Sequence, residues 1–132
     1  MAENKNNNLQ NTCFLLDTDV LINHLNKKRD MLNKLTEKEN INISISVLSK
    51  FELFCGIDSP KDKCMAEDVI RYFKVYPVNE LIVDRASEIA KLNNLAAGPI
   101  DIFIAATCIE NNLTLVTENK KHFKDIPGLE MY

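Results

Sequence analysis

Short apolar runs alternate along the chain with longer segments whose apolar residues recur at helical spacing. Five runs are predicted to be strands: 13–16, 41–45, 75–78, 113–116 and 129–132. The segments between them are predicted to be helices: 20–25, 31–38, 47–55, 60–73, 84–97 and 101–109. Such an alternation is typical of a parallel sheet covered on both faces. We therefore expect an α/β fold with three layers, α/β/α, around a central, mostly parallel sheet of about five short strands.

Two of these helices carry specific expectations about their ends and faces. The helix at 47–55 follows Ser46, a suitable N-cap, and its apolar face is expected to be buried. That face consists of Val47, Leu48, Phe51, Phe54 and Cys55. The helix at 84–97 is expected to be capped by Asp84 and stopped by Gly98-Pro99.

Length and composition predict one folded domain. A chain of 132 residues, 45% of them apolar, buries roughly two thirds of its unfolded surface without disulfides or metals. Residues 1–11 are polar and poor in apolar side chains, so we expect a flexible N-terminal arm followed by a single domain at 12–132.

Charge and cysteine content narrow the classes of function. The formal net charge of −3 excludes a uniformly basic nucleic-acid binder, although not a local basic patch. No apolar run approaches the roughly 18 residues that cross a bilayer, and the N-terminus lacks a secretion signal, so a soluble cytoplasmic protein is expected. The four cysteines form no C-x-x-C pair, which favours buried reduced thiols over disulfides or a zinc site.

Polar side chains occur where the predicted strands end and the next helices begin. Asp17 follows the first strand, Asn119 follows the strand at 113–116, and Asp101 opens a helix that is apolar all round. Because parallel strands end at one edge of the sheet, we expect these groups to lie together there. The simpler interpretation is that Asp17 is a helix N-cap and that Asp101 only complements a helix dipole.

Glu52 is the fourth candidate, at the margin of the predicted buried face of its helix. An ionised carboxylate there is costly unless it is paired or coordinated; otherwise it extends to solvent as an edge residue. Three converging carboxylates would repel one another, and a divalent cation relieves that repulsion. Ligands that are all oxygen favour Mg²⁺ or Mn²⁺, which activate water for attack on a phosphodiester.

Four segments together resemble the PIN-domain nucleases, and among these the VapC toxins of prokaryotic toxin–antitoxin pairs. The segments are Leu15–Ile22, Ser46–Gly56, Gly98–Ala106 and Leu115–Phe123. Each segment alone is a weak match, but the four in this order and spacing are fairly specific. The resemblance runs from about residue 13 to the end. It implies a Mg²⁺- or Mn²⁺-dependent endoribonuclease that cleaves RNA, is usually a homodimer and is inhibited by a cognate antitoxin protein.

The resemblance also implies roles for individual residues. It makes three acids the catalytic metal ligands: Asp17, Glu52 and Asp101. Asn119 takes the fourth position, where the family pattern accepts Asp or Asn, and its neutral amide weakens the case for a second metal ion. Thr117 would orient the cluster by hydrogen bonding, while the role of Glu118 is left open.

A short basic segment follows the proposed site. We hypothesise that Lys120, Lys121 and His122 contact the RNA backbone, because they flank the site in an otherwise acidic protein. The alternative is an ordinary solvated turn.

Two other functions fit parts of the pattern. The segment from Asp17 to Val20 also matches the Asp-x-Asp of haloacid-dehalogenase-type phosphatases, in which Asp17 would be the nucleophile and Asp19 an acid. Too little chain follows Thr117 to supply the rest of that site. A non-catalytic PIN-like binding module, with its acids acting only as helix caps, is the second alternative.

Overall fold

The computed structural model describes residues 13–27, 31–37 and 41–132, so the predicted N-terminal arm lies outside the described residues. Strands and helices alternate as the sequence predicts. In chain order they are β1 (Cys13–Leu16), α1 (Thr18–Leu25), α2 (Met31–Thr36), β2 (Asn42–Ser46), α3 (Val47–Cys55), α4 (Pro60–Ile70), β3 (Lys74–Tyr76), α5 (Glu80–Ala90), α6 (Pro99–Asn111), β4 (Thr114–Val116) and α7 (Lys120–Phe123).

The described strands form one parallel sheet in the order β3-β2-β1-β4. Leu15 of β1 lies opposite Ser44 on one side and Leu115 on the other, so β1 is the strand between β2 and β4. β3 lies at the edge, where Pro77 directly after it removes no interior hydrogen bond. The prediction of a fifth strand at 129–132 is wrong, because this segment pairs with β4 only through a bridge between Leu115 and Met131.

Helices cover both faces of the sheet, which confirms the predicted α/β/α layering. Along β1, Phe14 and Leu16 pack into one core and Leu15 packs into the other, as the alternation of a strand requires. Residues of α1 to α4 complete the first core, and residues of α5, α6 and α7 complete the second. The alternation of apolar and polar residues over 41–45 predicts a strand with one buried face, but this prediction is wrong, because both faces of the sheet are covered and Ser44 and Ile45 are both buried.

The ends of α5 differ from the prediction. The helix begins at Glu80, after Asn79, whose Oδ1 accepts a hydrogen bond from the Ile82 N–H at 3.0 Å. Asp84 is an exposed residue inside the helix rather than its cap. Gly98 and Pro99 do not end α5 but begin α6, because proline suits the first helical position, where its missing N–H leaves no bond unmade.

The buried face of α3 also differs from the prediction. Ser49 and Leu53 are buried, whereas Phe51 is 62% exposed and Val47 is 38% exposed. Ser46 does cap the helix, accepting from the Leu48 N–H at 3.1 Å. The more apolar face of α3, which contains Val47 and Phe51, is therefore at the surface. The face that contains Ser49 and Leu53, one polar and one apolar residue, is buried.

All four cysteines are free, as predicted, but only Cys108 is fully buried, while Cys55 and Cys64 are exposed. Among the described residues, no helix combines the length and the apolar composition of a membrane span.

The corrected face of α3 gives a stability test. Leu53→Ala is expected to lower the free energy of unfolding by about 2 to 4 kcal/mol, because it leaves a cavity in the core. Phe51→Ala is expected to lower it by less than about 1 kcal/mol, because most of that ring is already in water. Denaturant unfolding at two protein concentrations measures both and separates any effect of self-association. A larger loss for Phe51→Ala than for Leu53→Ala at the lower concentration would contradict this assignment.

Candidate active site

Asp17 lies at the carboxyl end of β1, held from three directions. Its N–H donates to the Val116 carbonyl at 2.9 Å, which extends the pairing with β4 one residue beyond the strand. Oδ1 accepts from the Thr18 N–H at 2.8 Å, and Oδ2 accepts from the Thr117 hydroxyl at 2.8 Å. The residue is 5% exposed. Asp17 is therefore an N-cap of α1, but one that is buried and also bonded to Thr117, 100 positions later in the chain.

Burial leaves the charge of Asp17 poorly compensated. Desolvation by burial raises the pKa of Asp17 from 3.8 to about 6. The hydrogen bonds from Thr117 and Thr18 oppose this rise, while the negative charges of Asp101 and Asp19 add to it. In the part of the chain that the structure describes, no lysine or arginine forms an ion pair with Asp17.

Glu52 reaches the same region from α3. It is half-buried, and its Oε1 lies 2.7 Å from the Thr18 hydroxyl. The same hydroxyl lies 2.9 Å from Oγ of Ser49, one turn before Glu52. Thr18 thus contacts Asp17 through its backbone and Glu52 through its side chain.

Asp101 lies in the first turn of α6 and is half-buried. Its Oδ2 is 3.4 Å from Nδ1 of His122, on α7. Its negative charge contributes to the raised pKa of Asp17, so the two carboxylates are electrostatically coupled. His122 thus lies next to a proposed metal ligand, and its contact with RNA stays a prediction.

The residues after β4 have distinct surroundings. Thr117 is buried and, besides donating to Asp17, accepts from the Asn119 N–H at 2.9 Å. Glu118 Oε2 accepts from Nδ2 of Asn23 at 3.0 Å, which attaches the end of β4 to α1. Asn119 is half-buried and its side chain does not cap α7. Lys120 and Lys121 are exposed.

The three predicted acids thus lie near one another at the carboxyl edge of the sheet. Asp17 and Glu52 are joined through Thr18, and Asp17 and Asp101 sense each other's charge. Within the described ranges, no three histidine, cysteine or acidic side chains are arranged to hold a metal. The donor set fits Mg²⁺ in its chemistry, because oxygen ligands and an uncompensated buried carboxylate favour a hard cation that keeps several waters.

Thr18, Ser49 and Asn23 were not predicted from the sequence, although Thr18 and Asn23 contact carboxylates and Ser49 contacts Thr18. Ser49 carried a usable signal: it is a polar residue one turn before Glu52 on the stripe that also contains Leu53. The buried face predicted from the sequence included neither Ser49 nor Leu53. Thr18 resembled an ordinary residue of a first helical turn.

Comparison with known proteins identifies the family. The family model described as PIN domain matches residues 14–129. The chain belongs to the PIN domain family. This assignment covers all the proposed site residues and removes the basis for the phosphatase alternative.

Two relatives are similar to this chain over most of their length. Ribonuclease VapC1 of Methanocaldococcus jannaschii is 31% identical over 124 residues, covering 90% of this chain and 86% of the relative. Ribonuclease VapC2 of Rickettsia felis is 30% identical over 129 residues, covering 88% and 93%. The resemblance to the VapC toxins is therefore confirmed.

Solved structures agree on the fold. VapBC2 from Rickettsia felis, crystallised with a DNA fragment from its promoter, contains a chain with a TM-score of 0.81 and 25% identity, covering 91% of this chain and 97% of that one. A chain of DNA-bound VapBC from Salmonella typhimurium has a TM-score of 0.77 at 24% identity, covering 90% and 96%.

The raised pKa of Asp17 predicts how stability depends on pH. Because the folded-state pKa of about 6 lies above the ordinary 3.8, the contribution of Asp17 to stability is complete below pH 3.8 and is lost as the pH rises through 6. Asp17→Asn avoids this loss, so at pH 7 without divalent cations it is expected to raise the free energy of unfolding by about 1 to 3 kcal/mol. At pH 3.5 the gain is expected to disappear.

Urea unfolding at the two pH values measures this effect. Asp19→Asn is the matched control, because Asp19 is exposed and close by, and we expect it to change stability by less than about 0.5 kcal/mol. Equal effects of Asp17→Asn at both pH values would contradict the prediction.

Proposed function

We propose that this PIN domain is a metal-dependent endoribonuclease and the toxin of a toxin–antitoxin pair. The observation that carries the proposal is the buried Asp17 carboxylate at the carboxyl edge of the sheet, joined through Thr18 to Glu52 and coupled to Asp101. Two relatives at 30% identity or above are named ribonucleases, which supports the same reaction class.

In this proposal the acids and Asn119 supply oxygen ligands to Mg²⁺ or Mn²⁺. The metal would supply activation of water and neutralisation of charge on the leaving oxygen of the RNA phosphodiester. Asp17, Glu52 and Asp101 hold it, and Asn119 contributes a neutral oxygen that limits the negative charge of the site. Thr117 keeps Asp17 in one orientation, since its hydroxyl donates to Oδ2 and its oxygen is fixed by the Asn119 N–H.

We propose that Lys120 and Lys121 contact the RNA backbone. Both are exposed and follow Asn119 directly, so they lie beside the carboxylates and offset the negative potential that would repel RNA. His122 belongs to the same short helix, and its Nδ1 is 3.4 Å from Oδ2 of Asp101. We therefore propose that His122 interacts with that carboxylate first.

Cleavage by carboxylate variants tests the proposed reaction. Asp17→Asn and Asp101→Asn are each expected to lower Mg²⁺-dependent RNA cleavage at least about a hundredfold, or about 2.7 kcal/mol of activation free energy, because each removes a charged metal ligand. The exposed Asp19→Asn is expected to stay within about threefold of the unchanged protein. Gel analysis of labelled RNA measures the rates, and circular dichroism checks the fold.

Undiminished cleavage in both site variants would refute the proposal. RNA binding without cleavage by the unchanged protein would favour the binding-module alternative.

The salt dependence of RNA binding tests the two lysines. Replacing both by alanine is expected to make the slope of log affinity against log salt shallower by about 1 to 1.5, because each phosphate contact to single-stranded RNA contributes about 0.7. Lys74→Ala is the control, since Lys74 begins β3 and so lies near the opposite edge of the sheet. The binding is measured with Asp101→Asn present in every protein, so that RNA is not cut. An unchanged slope would exclude the lysine contacts.

We propose an antitoxin protein as the regulatory partner, supported by similarity to chains of VapBC assemblies. A groove of about 250 Å³ between α1, α3 and α4 reaches Glu52. Its walls include Ile22, Leu25, Leu53 and Met65, and its acids are Glu52 and Asp62, so it suits an apolar segment that carries a basic residue. The test is whether the adjacent gene's product forms a stable complex and whether Met65→Glu weakens it.

We also propose a homodimer. Two exposed apolar residues of α3, Val47 and Phe51, support it, because they lie one turn apart on the same face of the helix and burying them in an interface would be favourable. Light scattering measures the mass, and a monomer at micromolar concentration would contradict this proposal.

A further inference from the structure

Three side-chain oxygens, in contact one after another, link α3 to α1 next to Asp17. They are Oγ of Ser49, Oγ1 of Thr18 and Oε1 of Glu52, separated by 2.9 Å and 2.7 Å. Ser49 is completely buried and Thr18 is 6% exposed, so neither hydroxyl is available to RNA. Thr18 and Glu52 are 34 residues apart in the chain and belong to helices that follow neighbouring strands.

The direction of the protons among these three oxygens follows from the chemistry of their groups. An ionised carboxylate can only accept hydrogen bonds, whereas a hydroxyl carries one hydrogen and two lone pairs. The Thr18 hydroxyl must therefore donate to Glu52, which leaves its oxygen to accept from Ser49. A donated hydrogen bond polarises the next one, so Ser49 strengthens the bond from Thr18 to Glu52.

We propose that Thr18 and Ser49 are positioning residues that hold the Glu52 carboxylate in the orientation required for metal binding, and that Thr18 thereby sets Glu52 relative to Asp17. The N–H of Thr18 donates to Asp17 Oδ1 and its hydroxyl donates to Glu52 Oε1, so one residue contacts two proposed ligands, one before α1 and the other in α3. This inference rests on the proposed nuclease function.

The contact between Ser49 and Thr18 is not needed merely to give the buried Ser49 hydroxyl a hydrogen-bond partner. A buried serine inside a helix can satisfy its hydroxyl locally, by donating to a carbonyl one turn earlier in its own helix. The Thr107 hydroxyl does this in α6, where it donates to the Phe103 carbonyl at 2.7 Å. Ser49 instead lies 2.9 Å from a hydroxyl on another helix, which in turn contacts a carboxylate.

Removal of the Thr18 hydroxyl tests the proposal. Thr18→Val keeps the shape of the side chain and the backbone bond to Asp17 but loses the bond to Glu52. We expect kcat for RNA to fall about tenfold or more with KM changed less than about threefold, and the dissociation constant for Mn²⁺ to rise about tenfold. Calorimetric titration of the RNA-free protein measures the Mn²⁺ affinity. Thr18→Ser should restore both values to within about threefold, and Ser49→Ala should cause a smaller loss than Thr18→Val.

Thr107→Val is the matched control, because it also removes a buried threonine hydroxyl but breaks only a bond within α6. We expect it to leave kcat and Mn²⁺ affinity unchanged. If Thr18→Val matches Thr107→Val in both values while the unchanged protein cleaves RNA, the positioning role is overturned.

A double-mutant cycle separates this proposal from the nuclease proposal. Thr18→Val, Glu52→Ala and the double variant are compared by urea unfolding, and we expect the shifts of the midpoint to be non-additive, because the two residues bond each other. If the shifts are non-additive but the unchanged protein neither binds Mn²⁺ nor cleaves RNA, the positioning of Glu52 by Thr18 stands and the nuclease proposal is rejected. Additive shifts would reject the positioning, whatever the activity.

Discussion

The pairing of β1 with both β2 and β4 is the constraint on which the rest of the structure depends. All three strands run in the same direction, so the residues after each of them emerge at one edge of the sheet. Asp17 follows β1, α3 with Glu52 follows β2, and Thr117 follows β4. Residues that are far apart in the chain therefore become neighbours as a result of strand order alone.

At Asp17 and Glu52, the hydrogen-bond partners that the described residues provide are hydroxyl and N–H groups rather than lysine or arginine side chains. At Asp17 the hydrogen bonds from the Thr117 hydroxyl and the Thr18 N–H oppose the effect of burial on the pKa without cancelling it, and at Glu52 the Thr18 hydroxyl lies 2.7 Å from the carboxylate. An arginine or lysine in the same place would neutralise the carboxylates more completely, and it would also compete with a dication for them. Partial compensation is thus compatible with both a stable fold and a proposed metal site.

Much of the fold could be predicted from the sequence because local patterns reported on it directly. The strand before Asp17 and the buried helix after Asp101 each carried a strong hydrophobic pattern, and both were confirmed. The face of α3 was predicted wrongly because that helix has two stripes with apolar residues, and spacing alone does not say which one meets the sheet. Phe51 belongs to the stripe with more apolar area, yet Leu53 is the one buried.

The candidate site was predicted in its carboxylates but not in its supporting residues. Acids stand out after apolar runs, whereas Thr18 and Ser49 are common at helix starts and on helix surfaces. Their importance arises from a contact across 31 positions in the chain, which no local pattern encodes. The start of α5 was missed for the opposite reason: Asn79 caps it through a purely local bond, but Asn is as frequent in turns as at helix caps.

The segment that replaces the predicted fifth strand has a consequence for how the sheet is protected. β4 is the outer strand next to β1, and residues 130–132 pair with its other side. The Leu115 N–H donates to the Glu130 carbonyl, and the Tyr132 N–H donates to the Leu115 carbonyl. The Tyr132 ring also meets Phe14 edge-on, with the ring centroids 5.6 Å apart. A chain shortened before Glu130 would leave the N–H and the carbonyl of Leu115 without these partners, and such open strand edges are where foreign strands add to a sheet and aggregation starts.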